Sequence, residues 1–241
     1  MKGFLLNIKG NWAHFRKPET NNNPLTHDFI TKTALLGMIG AVLGIERNEM
    51  AALFPQLSED LLYGVFIKNE VKKESWGFTL RYVVDFFQKA PKQMEFLKCP
   101  EFVVALALKN EQNTESKEIF DSFQTAVKNR ETKFTPVLGL HNCPAELSFD
   151  SSGEFQSKSG DFVTQAFVTG KHEIDTAKLL KKELESKGFR LGIENMPTFQ
   201  NDDFWNPPEK YVRVIYPSEG NEIYASGEYF QFTDQSQWTL I

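Results

Sequence analysis

The sequence predicts an α+β protein whose residues 1–150 form a ferredoxin-like split βαβ unit and whose residues 151–241 form a reduced, β-rich lobe. Three observations carry that expectation. Short runs with an apolar residue at every second position mark strands. Two longer stretches are helical, one apolar nearly throughout and one with an apolar face at helical spacing. Up to residue 150 the segments follow one another as strand, helix, hairpin, strand, helix, strand.

The first strand is read over Gly3 to Phe15, where Phe4, Leu6 and Ile8 alternate with polar or small residues and Trp12 and Phe15 extend the run. Thr31 or Thr33 is placed to cap the next helix, which runs to about Leu43, is apolar nearly all round and so should be buried. Gly37, Gly40 and Gly44 lie along it as packing positions, and Gly44 is also a natural stop. Tyr63 to Lys68 and Trp76 to Phe87 read as strands or a long hairpin; the basic segment Gln88 to Lys98 interrupts the pattern as an excursion from the sheet, and Phe102 to Leu108 resumes it. Ser116 to Asn129 is the second helix, with Ile119, Phe120, Phe123, Ala126 and Val127 on one face. Phe134 to Cys143, holding Pro136 and Gly139, is a loop into the strand Glu146 to Phe149. A Ser/Gly-rich stretch, Asp150 to Gly160, breaks the pattern. Asp161 to Val168, a helix from Asp175 to Ser186, and strands near Phe189 to Glu194, Tyr211 to Ile215 and Glu222 to Ala225 follow.

At 241 residues the chain can bury a substantial core without staples. Cys99 and Cys143, each followed by proline, suit turns and free thiols in a reducing cytoplasm better than a disulfide or a zinc ribbon. Met1 to Ile8 reads as strand rather than signal peptide, and the long apolar stretch, Ala34 to Ile45, falls short of the roughly 20 residues a membrane span needs. A soluble, cytoplasmic protein without membrane contact is expected. The net charge of −5 argues against an all-over basic surface, but the charge is uneven. Lys2 to Leu36 and Lys68 to Lys98 each carry a local charge of +3, whereas Ile193 to Ile241 holds eight acidic residues against two basic ones and reads as a solvated polar face away from phosphate.

There is no Gly-x-Ser-x-Gly elbow, no Gly-Lys-Ser/Thr phosphate loop and no His-Glu-x-x-His helix, so hydrolase, NTPase and zincin chemistry of those kinds falls away. His14, His27, His141 and His172 are dispersed, without paired spacing or ligand cysteines nearby, and neither a metal nor another cofactor is expected. The densest chemistry lies in residues 11–44. A polar strand end with His14, Arg16 and Lys17 runs through an Asn-rich turn into the capped start of the apolar helix, which brings cationic donors near free helix N–H groups. Arg16, Lys17 and Lys32, with the hydroxyls of Thr26, Thr31 and Thr33, suit a sugar-phosphate backbone, charge giving affinity and hydrogen bonds giving geometry. A solvated turn is the plainer alternative. His14 and His27 flank the turn where a base could assist attack of a 2′-hydroxyl on its own phosphate, although ordinary polar contacts are the preferred reading. Trp76 to Lys98 interleaves Trp76, Phe78, Tyr82, Phe86, Phe87 and Phe96 with Arg81, Lys89, Lys92 and Lys98, a mixture suited to single-stranded nucleic acid. Period-two alternation buries many of those rings, which leaves the basic tip as the binder.

Three segments in order, Ala13-His14-Phe15-Arg16-Lys17-Pro18, the helix from Thr33-Ala34-Leu35-Leu36-Gly37 to Leu43-Gly44, and Thr135-Pro136-Val137-Leu138-Gly139-Leu140 leading to Cys143-Pro144, resemble the CRISPR-associated protein 5 family of the repeat-associated mysterious protein (RAMP) superfamily. Asn195-Met196-Pro197 and the Tyr211 to Ile215 strand are similar to its type I-B branch. The resemblance covers about the first 150 residues and implies a ferredoxin-like (RRM-like) RAMP fold with a protruding thumb over roughly Lys72 to Cys99. It also implies a subunit of the CRISPR surveillance complex Cascade that grips the 5′ handle of the CRISPR RNA. Its neighbours would be the backbone subunit and the large subunit, through which target DNA is met indirectly. By position, Arg16, Lys17, His27, Lys32 and Thr33, with Gly139, His141 and Asn142 of the Gly-rich loop, are expected at the handle. In the type I-C branch the family member is itself the maturing endoribonuclease, with a Tyr, Lys and His set. Here the adjacent Lys-His pair is Lys171-His172, in the second lobe, and no tyrosine precedes Tyr63, so holding RNA rather than cutting it is expected.

Overall fold

The computed structural model describes residues 1–20, 22–81, 87, 89–185, 190–199, 208–218 and 220–241, those at 80–81 and 182–185 by backbone alone. The first half runs β1 (Lys2–Lys9), β2 (Trp12–Ala13), α1 (Lys32–Leu43), α2 (Arg47–Asp60), β3 (Leu61–Ile67), β4 (Lys73–Arg81), β5 (Lys89–Lys98), β6 (Glu101–Leu108), α3 (Thr114–Asn129) and β7 (Glu146–Glu154). The second half runs β8 (Gln156–Thr164), β9 (Val168–Thr169), β10 (Glu173–Ile174), α4 (Thr176–Glu185), β11 (Leu191–Phe199), β12 (Lys210–Pro217), β13 (Ile223–Gln231) and β14 (Gln237–Trp238).

The central sheet has the order β3-β6-β1-β7, antiparallel throughout, which is the arrangement of a ferredoxin-like β-α-β-β-α-β unit. Its central strand β1 is covered on both faces. Phe4, Leu6 and Ile8 join the core that includes α1 and α3, where Phe4 meets Phe120 at a ring separation of 5.2 Å. Leu5, Ala105 and Ala107 pack on the other side with Phe155, Phe232 and Trp238. Burial at roughly 25 cal/mol per Å² of apolar surface makes this double layer the main stabilising element. Phe167, Met196, Val214 and Tyr216 from the second half belong to the same cluster as Phe4 and Leu6, with Phe29 stacked on Phe167 and edge-on to Tyr216.

Several sequence expectations need correction. The run Gly3 to Phe15 divides after β1. Gly10 N–H donates to Pro100 O and Cys99 N–H to Asn11 O, so Trp12 and Ala13 leave the main sheet and pair with Lys98 and Leu97. Helix α2 was not expected, because Pro55 and a polar composition hide the inward face made by Met50, Phe54 and Leu57. The basic segment Gln88 to Lys98 does not interrupt a pattern; from Lys89 it is strand β5, paired along its length with β4, since a ladder with a solvated face needs no apolar run. The Ser/Gly-rich stretch after residue 149 is likewise ladder: β7 continues to Glu154 with Asp150 as a bulged extra residue, and β8 pairs with β13 from Gln156. Of the three helix glycines, Gly40 lets Met50 of α2 close in, Gly44 takes the left-handed C-cap at φ 75°, and Gly37 faces open space. Ser186 and Phe189, expected in a helix and a strand, and Tyr82 and Phe86 of the aromatic segment lie outside the described residues.

Candidate nucleic-acid interface

The turn after β2 is held as a short bridged loop. Arg16 and Thr26 form a β-bridge, Lys17 N–H donates to Leu25 O at 2.8 Å and His27 N–H to Phe15 O at 2.8 Å. Thr26 is wholly buried, its hydroxyl accepting from Phe15 N–H at 2.9 Å and donating to His27 O at 2.9 Å. Thr31 caps α1, accepting from Ala34 N–H at 3.1 Å, and its hydroxyl lies 3.0 Å from that of Thr33.

Much of the positive charge in this loop is neutralised by residues distant in sequence. Glu194 of β11, itself buried, takes Lys17 Nζ at 2.7 Å on one oxygen and His27 Nδ1 at 3.1 Å on the other. Burial raises the Glu194 carboxyl, but the hydrogen bonds from His27 and Lys17 outweigh it and hold the carboxyl below the usual range. Beside it, Lys73 of β4 reaches Asp28 at 2.7 Å, Glu95 at 3.2 Å and Thr26 O at 3.1 Å, and Tyr216 donates to Asp28 at 2.5 Å. Burial opposes the charge on Lys73, and its two carboxylates more than offset that, raising its pKa. Burial also lowers the His14 pKa; its Nδ1–H donates to Glu95 O at 2.7 Å, and its Nε2 is buried without a partner. The expectation that the acidic C-terminal region is a solvated face therefore fails at Glu194, which ties that region to the basic turn.

A cavity of about 520 Å³ lies where this loop, the start of α1, the Gly139 loop and the β4–β5 hairpin come together. His14, Arg16, Thr33 and Gly139, all expected from sequence, line it, with Met94 of β5. Gly139 sits at φ 88°, and a Cβ there would stand 1.9 Å from the carbonyl oxygen of His14, so only glycine allows the loop to lie against this backbone. His14 N–H in turn donates to Leu138 O at 3.0 Å.

Other expected residues fall elsewhere. Lys17, Thr26 and His27 are the internal scaffold just described. Lys32 is buried at 3% exposure and donates to Ser58 O at 2.8 Å, opening on to a different cleft; burial pushes its pKa down to about 8. His141 and Asn142 are exposed beside the cavity-lining Gly139 and Leu140. On the hairpin, Lys89 is exposed and Lys92 donates to Asn22 Oδ1 at 2.8 Å, while the side chain of Arg81 lies outside the described residues. Trp76, Phe78 and Phe96 cluster with Trp12 at the hairpin base, Trp12 and Trp76 at 4.4 Å, so these rings pack on one another. Sequence reading missed Glu194, Asp28, Lys73 and Tyr216. The signal for Glu194 was present: it shares the buried face of a strand with Met196 two residues on, and a charge on such a face calls for a partner.

A family model described as CRISPR-associated protein (Cas_Cas5) matches residues 3–150. A search of curated proteins found no match. Among solved structures, a CRISPR protein from Archaeoglobus fulgidus superposes with a TM-score of 0.56 at 14% identity, over 99% of this chain and 98% of that one. A chain from a CRISPR RNA-guided surveillance complex superposes with a TM-score of 0.52 at 14% identity, over 90% of each. At this identity the two superpositions establish a shared fold alone.

Proposed function

The chain belongs to the CRISPR-associated protein (Cas_Cas5) family, and from that membership we propose that it is a non-catalytic, RNA-binding subunit of a type I CRISPR surveillance complex, of the type I-B kind. In this reading it works in the cytoplasm in antiviral defence, holds the 5′ handle of the CRISPR RNA and caps the row of backbone subunits, next to the large subunit. The observation that carries the reading is the cavity at the meeting of the turn after β2, the β4–β5 hairpin and the Gly139 loop, where Arg16 and Thr33 supply charge and a hydroxyl and the exposed His141 and Asn142 stand beside it. The fold shared with a chain of a CRISPR RNA-guided surveillance complex supports the same reading.

Holding is favoured over cutting by the state of the histidines. His14 and His27 are buried inside the scaffold, and both ring nitrogens of His172 are engaged: Nε2–H donates to Glu228 O at 2.8 Å and Nδ1 accepts from Thr169 N–H at 3.2 Å. Two experiments test the proposal. Co-purification with the other complex subunits and sequencing of the bound RNA should recover one shared 5′ handle; RNA without a common 5′ end sinks the reading. Labelled repeat RNA incubated with the chain in EDTA should stay intact, and site-specific cleavage lost in His172→Ala would replace the scaffold with a metal-independent endoribonuclease.

A further inference from the structure

Lys32, one residue before Thr33, lines a second and larger cleft of about 1060 Å³ that has no lining residue in common with the first. Its walls come from the starts and ends of elements far apart in sequence: α1 and α2, the segment after β9, the facing ends of β11 and β12, β13, and the C-terminal residues 239–241. Five cationic side chains line it, and Lys210 is ion-paired with Glu59. Among the described residues, the other four, Lys32, Lys109, Lys171 and Arg213, make no ion pair, and Glu228 supplies the one further carboxylate side chain in the lining.

The interior of this cleft is polar in a way the fold does not satisfy. Lys32 has only a carbonyl for its buried ammonium group. Ser58 and Thr239, each 4% exposed, line the cleft with hydroxyl oxygens that are buried without a partner. A buried hydroxyl left unpaired is destabilising, and a buried unpaired cation more so. An anion in the cleft would offset the buried charge of Lys32 through space. The rings of Phe199, Tyr211 and Phe230 share the walls with the cations, and Tyr211 is 42% exposed, so flat apolar faces stand next to positive charge. Flat faces beside cations fit bases with their phosphates better than a bare inorganic anion or an acidic peptide.

We propose that this cleft is a second nucleic-acid site, distinct from the handle cavity, which takes a single-stranded segment of a few nucleotides with its phosphates on Lys109, Lys171 and Arg213 and its bases against Tyr211 and Phe199. The proposal stands independently of the handle-binding reading, since no residue is common to the two cavities.

The test is a fluorescence-anisotropy titration of the full chain with labelled octauridylate, which contains no handle sequence. The variant combines Lys109→Ala, Lys171→Ala and Arg213→Ala, three exposed positions whose loss leaves the core intact. The expected result is binding weakened about tenfold or more, with a salt slope lower by about two to three, while Lys181→Ala, at an exposed position that lines neither cavity, leaves octauridylate binding unchanged. Absence of octauridylate binding, or equal affinity and slope in the triple variant, overturns the site; so does binding of polyglutamate in preference to the oligonucleotide. Acylation of surface lysines gives a second readout: octauridylate should protect Lys109 and Lys171, and labelling unchanged by RNA also overturns the proposal. A handle-RNA titration run in parallel separates the readings, because failure of the handle proposal shows there and leaves the octauridylate result standing.

Discussion

The two flanks of the α1 start treat positive charge in opposite ways. On the loop side, Lys17 and Lys73 are locked to Glu194, Asp28 and Glu95 in half-buried ion pairs, with His27 hydrogen-bonded to Glu194. On the cleft side, Lys32, Lys109, Lys171 and Arg213 line the wall, without a carboxylate ion-pair partner among the described residues. The difference teaches that local density of basic residues is a poor guide to a binding surface. Of the cations clustered in sequence, Lys17 became scaffold while Arg16 lines the first cavity, and those dispersed in sequence were gathered into the second cleft.

The largest expected effect comes from the loop side. Gly139→Ala should destabilise the protein by roughly 3 kcal/mol or more in denaturant unfolding, since the left-handed backbone and the His14 carbonyl both exclude a Cβ. A loss below about 1 kcal/mol means the loop is free to move away, and the cavity is then soft. Next, Glu194→Ala should cost about 3 kcal/mol by stranding a buried His27 and Lys17. Removing the cleft cations Lys109 and Lys171 should change stability by less than about 0.5 kcal/mol. Equal losses at the two places would dissolve the contrast between scaffold and binder.

Lys32→Met sharpens the cleft side. A lysine held at about 8 in the folded protein and near 10.5 when unfolded disfavours folding below pH 8, and the penalty fades as pH rises toward 10.5. The wild type should therefore gain stability across that window, while Lys32→Met should be more stable at pH 7 by on the order of 2 kcal/mol and lack the rise. A flat wild-type profile between pH 8 and 10 argues that the ammonium group is solvated. His14 has the smallest effect. Its lowered folded pKa means that stability is full above about 6.5 and falls as pH drops and the unfolded state takes up the proton first. His14→Gln should flatten that acid limb in a thermal-melt series, and an unaltered limb would place the titration at another group.

Much of the architecture was readable in the chain. The alternation in β1, the apolar run of β6 and the apolar face of α3 point to the ferredoxin-like unit, because each is a local pattern that reports element type and buried face. The capped α1 start was also anticipated, since it depends on a single turn, and the grouping of Arg16, Thr33 and Gly139 was expected from the family resemblance. Strand β5, the continuation of β7 and helix α2 were not legible: a ladder strand with a solvated face carries no apolar signature, and Pro55 disguises a helix whose inward residues are few.

What the sequence alone determined is thus the order of those strands and helices that carry an apolar face, and the identity of the basic residues. The tertiary structure alone decided which of those residues have partners. Lys17 and Glu194 are 177 positions apart, and the cleft draws on residues from 32 to 241. Charge pairing acts over a few ångströms in space whatever the distance along the chain, so no local pattern could have revealed it.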